Sequence, residues 1–138
     1  MLVGVNSSRK ALAFAMRNQP SLLIDCDSIA NPHAFFHEVR MERLGGVYVI
    51  GIDIIYGLRD TLKRADRMAA EIGAGCICIT LFHHLFNYGN HRENHDVYEH
   101  CWELMKSLSS KYKVIVGIHP EQLYLAKRYC DRIIGINN

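Results

Sequence analysis

The chain has 138 residues, of which 49% are apolar and 22% charged, the composition of one ordinary globular domain with enough material for a core. Sixteen basic against fourteen acidic residues leave a net charge of +2, too small to argue a nucleic-acid partner by charge alone, although eight histidines would make the chain strongly basic below about pH 6. No basic-then-apolar leader and no run of 18 apolar residues occur, and five scattered cysteines read as small buried hydrophobes. A reduced, cytoplasmic protein with no membrane association is expected.

In chain order, the apolar Met1-Leu2-Val3 predicts a very short first strand, followed by the segment Gly4–Ala11 and a helix over Lys10–Arg17. Read as G-x-x-x-x-G-K-[ST], this segment matches at Gly4 and Lys10 and departs at Arg9 and Ala11. A phosphate loop needs glycines so that backbone N–H groups can curl round the phosphates, a lysine for the terminal phosphates and a hydroxyl for magnesium. Here Asn6, Ser7, Ser8, Arg9 and Lys10 are the candidate nucleotide-binding positions, and Ala11 cannot bind the metal.

Ser21–Cys26 is the second predicted strand, and Asp25 and Asp27 stand at its end. Asp27 could act as a general base or help to hold a cation; equally, both carboxylates could cap a loop. The Asn31-Pro32 break then leads into a predicted helix over His33–Arg43 and a strand over Val47–Ile52. Leu58, Leu62, Ala65, Ala69 and Ile72 recur at helical spacing, with Arg59, Lys63, Arg64 and Arg67 turned away and Gly73 as the stop. Cys76–Phe82 predicts a strand in which Cys76 and Cys78 face the same way.

The segment after it carries His83, His84, His91 and His95 among aromatics. It could meet a partner protein, stack on nucleic acid, hold zinc through His91 and His95 on one helical face, or simply fold back on the domain. Val97, Cys101, Leu104 and Leu108 predict a helix starting near Asn94. Val114–Ile118, a helix from Pro120 to about Cys130 and Arg132–Ile136 complete the series, with His119 either a polar nucleotide sensor or a helix-entry residue. Continuous apolar strands alternating with helices imply an α/β fold: a three-layer, doubly wound, mainly parallel sheet of about six strands, in one compact domain over 1–138.

Taken together, these motifs resemble the RecA-like P-loop ATPases of the archaeal RadA and KaiC type. "LLIDCDSIANPHAFF" is similar to that family's second core strand, I-D-T-E-G-x-F-x-P-x-R-[FI], with Asp25 and Pro32 matching and Asp27 standing where the family has its catalytic glutamate. "GAGCICITLFHHLF" resembles the Walker B strand, "ENHDVYEHCWELMKSLSSKYKVIVGIHPE" the next helix and strand, and "CDRIIGIN" the closing strand.

The resemblance implies ATP as cofactor, with Gly4, Asn6, Ser7, Ser8, Arg9, Lys10, Asp25, Thr80 and His119 around it. It further implies partners of the RecA type, another protein or a second copy, with nucleic acid as a further candidate in DNA recombination or repair. Magnesium is disfavoured, because Thr80 replaces the Walker B aspartate and Ala11 the metal-binding hydroxyl. Each lost contact is worth about 2–4 kcal/mol in the transition state, so an eroded ATPase acting as a regulatory or assembly module is expected. An active enzyme using Arg9, Lys10, Asp25 and Asp27, or a histidine-based metal protein, are the alternatives.

Overall fold

The computed structural model describes residues 1–29, 42–85 and 91–135. Successive residues of a strand point to opposite faces, and here both faces are covered. From β1 (Leu2–Val5), β2 (Ser21–Asp25), β5 (Cys76–Ile79) and β6 (Lys113–Gly117), one core takes Leu2, Leu22, Ile24, Ile77, Ile79, Val114 and Val116, and the other takes Val3, Val5, Leu23, Cys76, Cys78 and Ile115. This double burial is why the strands read as unbroken apolar runs.

With β3 (Glu42–Leu44), β4 (Val47–Gly51) and β7 (Arg132–Ile134), the described residues form a seven-stranded sheet in the order β3-β4-β2-β5-β6-β1-β7. Every pairing is parallel except that of β3 with β4. Helix α1 (Ser8–Arg17) seals the second core with Ala11 and Ala15. Helices α2 (Ile55–Ile72), α3 (His91–Leu108) and α4 (Leu123–Tyr129) contribute to the first core, so the chain is a three-layer α/β fold. Among the described residues no helix is long and apolar enough to cross a membrane.

Helix α2 buries Leu58, Leu62, Ala65 and Ala69 and ends at Gly73, whose φ of 71° lets its N–H reach back to the carbonyls of Ala69 and Ala70. Helix α3 already includes His91, ahead of the start expected near Asn94, and its core stripe includes Trp102 and Met105, while Leu104 is only partly buried. The helix expected over His33–Arg43 lies mostly outside the described residues, and Arg43 belongs to β3. Gly45, at φ 68°, with Gly46 turns the chain from β3 into β4. All five cysteines are free thiols.

Gly117 has a positional reason that bears on the site. A Cβ there would lie 2.9 Å from the backbone N of Leu81 and 3.2 Å from the carbonyl carbon of Thr80. The chain leaving β5 therefore crosses the end of β6 at a distance that only glycine permits. Gly117→Ala should cost about 1–3 kcal/mol, read as a lower urea midpoint at unchanged slope; an unaltered midpoint would mean that the crossing yields freely.

Candidate functional site

In an open parallel sheet, ligands bind beyond the carboxyl ends of the strands. There the exits of β1, β2 and β5 are tied together by a network of short polar side chains. Ser7, in extended backbone at φ −158°, is the N-cap of α1 and its hydroxyl accepts from Lys10 N at 3.2 Å. Helix α1 thus starts at Ser8, and only Asn6 and Ser7 connect it to β1.

The segment Asn6–Lys10, expected as a loop, is therefore a two-residue turn followed by the first helical residues. Gly4, expected as the first glycine of that loop, lies within β1. Its hydrogen makes room for Ile118, whose Cδ1 would stand 2.0 Å from a Cβ. Arg9 and Lys10 are exposed on the first turn of α1, and the Lys10 ammonium leans over Gly135 at the end of β7, where Asn6 Nδ2 donates to the Gly135 carbonyl at 2.8 Å.

Ser8 is buried and holds two strand exits at once: its Oγ donates to Asp27 Oδ2 at 2.7 Å and accepts from Leu81 N at 2.9 Å. Thr80 is fully buried; its Oγ1 accepts from Cys26 N at 2.7 Å and donates to Asp25 Oδ1 at 3.2 Å. That same Asp25 oxygen accepts from the N–H groups of Asp27 and Ile29, at 3.1 and 3.2 Å, and so folds the β2 exit into a tight turn. Ser28 within this turn has φ 53°, a left-handed conformation uncommon for a residue other than glycine. Burial and then the neighbouring Asp25 charge push the Cys26 thiol well up, so it stays neutral.

Asp25, Asp27, Ser8 and Thr80, nominated on separate stretches of sequence, thus meet in one network. Asp25 caps its own loop, as one of the two sequence readings had it for both carboxylates, whereas the Asp27 carboxylate takes the Ser8 hydroxyl. Asp27 is exposed beside this network and borders an open pocket of about 210 Å³, lined also by Cys26 and Ser28, by Ile52 and Asp53 after β4, and by His84 and Leu85 after β5. Ile52 and Asp53 were missed from sequence. The rule that ligands sit at strand exits would have nominated them, since they directly follow β4.

His119 enters a 3-10 turn (Pro120–Gln122), and its Nδ1 accepts from Glu121 N at 3.1 Å, which gives the helix-entry reading a definite geometry. Its ring stacks on His83, with centroids 3.8 Å apart and planes 15° apart, and His84 meets the His83 edge at 5.3 Å. His84 Nε2 donates to the Cys26 carbonyl at 2.7 Å. His95 lies instead against Tyr124, and the side chain of His91 falls outside the described residues. The four histidines nominated for a metal are thus not seen to converge. Among the described residues no group of three or more His, Cys, Asp or Glu is placed to hold a metal ion.

Compared with known proteins, the chain matches no family model, no curated protein and no solved structure.

Proposed function

We propose that this chain is a RecA-like ATPase-fold domain that has lost ATP hydrolysis and serves as a regulatory or assembly module. Its partner would be another protein or a second copy of itself, in a DNA recombination or repair setting. The parallel α/β sheet and the gathering of Ser8, Asp25, Asp27 and Thr80 at one strand edge support the lineage.

The observation that carries the loss of activity is the hydrogen bond from Ser8 to Asp27. A helix N-terminus attracts anions, and in a nucleotide site the phosphates fill that role. Here a carboxylate of the chain itself stands at the first residue of α1, and the Ser7 hydroxyl takes the N–H of Lys10. The connection between β1 and α1 is only two residues long, too short for a glycine-rich loop that curls round a triphosphate. An incoming phosphate would meet the like charge of Asp27 and, with Thr80 and Ala11, little to hold magnesium.

Purified protein should show no magnesium-dependent ATP turnover above background, and a fluorescent ATP analogue should bind weakly with no help from magnesium. Turnover that requires magnesium and disappears in Lys10→Ala would overturn this reading and restore the active-enzyme alternative.

A further inference from the structure

The histidines at the β5 and β6 exits carry chemistry that the proposed function does not use. We propose that the His83–His119 stack, with His84 against its edge, is an acid-sensitive latch that holds the Leu81–Leu85 turn closed and lets it go when the imidazoles take up protons. This inference stands apart from any question of nucleotide binding.

The closed arrangement requires neutral rings for two separate reasons. First, His119 Nδ1 accepts a hydrogen bond from Glu121 N, so that nitrogen carries no proton, and protonation ends the cap. Secondly, His83 and His119 lie face to face at 3.8 Å, where two imidazolium charges repel one another. Among the described residues His83 Nδ1 is buried with no hydrogen-bond partner, so none of them compensates a charge at that atom. Burial, followed by the neighbouring His119 and His84, holds the His83 imidazole below the usual histidine range.

The groups facing His83 also include two carboxylates. Asp27 from the β2 exit and Glu121 from the 3-10 turn favour its protonated form, but less than burial and the two other histidines oppose it. Glu121 also offers a carboxylate oxygen 3.9 Å from His119 Nδ1, a new partner for that ring once it is charged and the cap is broken. From α3, the Tyr98 hydroxyl sits among the carbonyls of Phe82, His83 and Leu85, and it fastens the same turn without titrating in this range.

The direction follows from proton counting. The closed turn binds fewer protons than the open one, so its stability is intact above about pH 6.5, the ordinary histidine value, and declines as pH falls below it. The moving segment ends in His84 and Leu85, which form one wall of the pocket beside Asp27 and Asp53, so acid would widen that pocket.

Hydrogen exchange of the full chain, corrected for the chemical effect of pH on the exchange rate, reads the latch directly. Protection over residues 81–85 should fall between pH 7.5 and 5.0, by about tenfold per pH unit for each proton that only the open form accepts. Protection in the centre of α2 should hold over the same range. His83→Phe keeps a stacked ring, His119→Asn keeps a capping group, and each removes one imidazole of the stack. Both should flatten the pH response, His119→Asn from a lower starting protection. Protection over 81–85 that does not change with pH in the native chain, or an unchanged response in the double variant, would overturn the proposal.

Discussion

Thr80→Asp, which places at this strand end the carboxylate that the proposed RecA-like lineage would call for, should destabilise the protein by about 3–5 kcal/mol instead of creating a metal site. Thr80 is fully buried, and its hydroxyl works in both directions, accepting from Cys26 N and donating to Asp25 Oδ1. An aspartate there could still accept from Cys26, but it would offer Asp25 a second negative charge in place of a donor. Thr80→Val tests the neutral half of the argument. It leaves the Cys26 N–H without its acceptor and takes one donor from Asp25 Oδ1, at about 1–3 kcal/mol.

Urea unfolding of the three proteins at pH 7 and pH 5 separates these effects. The new carboxyl group, crowded by Asp25, would have its folded-state pKa raised above the unfolded value. Its destabilisation is then complete above the folded pKa and shrinks as pH falls towards the unfolded one. The gap between Thr80→Asp and the native chain should therefore narrow at pH 5, whereas the Thr80→Val gap should not. Should Thr80→Asp match the native stability, or gain stability from magnesium, the strand exits would still hold a working metal framework. The eroded-site reading would then fail.

Much of the architecture was legible because it rests on periodicity. The runs at Ser21–Cys26, Val47–Ile52 and Val114–Ile118 each overrun their strands by a residue or so, because an apolar residue leaving a strand is buried by the same core. The Cys76–Phe82 run overran by three: the strand ends at Ile79, yet Phe82 is fully buried under α3. Hydropathy reports burial, and only the hydrogen-bond ladder reports strand. The hairpin from β3 to β4 was hidden for a different reason. Its Gly45-Gly46 signal was present, but the helical reading of the preceding residues was carried through Arg43 and across it.

The site was legible in its membership more than in its connections. Ser8 and Asp27 are 19 residues apart and Asp25 and Thr80 are 55 apart, and no local spacing links them. What joins them is the parallel order of the strands, with β5 beside β2, which brings the Thr80 hydroxyl to the Asp25 carboxylate. Pattern matching also set the glycine and lysine of Gly4–Ala11 against a loop template. The competing signal was Ser7, an N-cap residue just before a helical run, and the hydrogen bond it makes to Lys10 N starts the helix early. The His83–His119 stack was invisible for the same reason as the carboxylate network, since it joins two strand exits far apart in sequence.

Trp102→Ala should cost about 3–5 kcal/mol, because the fully buried side chain packs between the β5 exit and α4. It is fully buried on α3, tilted against Phe82 beyond β5 at 5.8 Å and stacked on Tyr129 of α4 at 6.2 Å. Its Nε1 is buried without a hydrogen-bond partner among the described residues, so the indole brings packing and an unsatisfied donor together. Those contributions have opposite signs, and Trp102→Phe pulls them apart. Phenylalanine keeps much of the ring surface against Phe82 and Tyr129 and removes the orphaned N–H, whose burial costs about 1–3 kcal/mol. The phenylalanine variant should therefore lose under about 1.5 kcal/mol, although a Trp-to-Phe change also deletes volume. Equal losses for the two variants in urea unfolding would show that the indole N–H finds a partner, or that this part of the core cannot close round a smaller ring. Because Phe82 precedes His83, loosening Trp102 should also lower protection of the 81–85 turn at neutral pH. That separates packing from protonation as a means of opening the same turn.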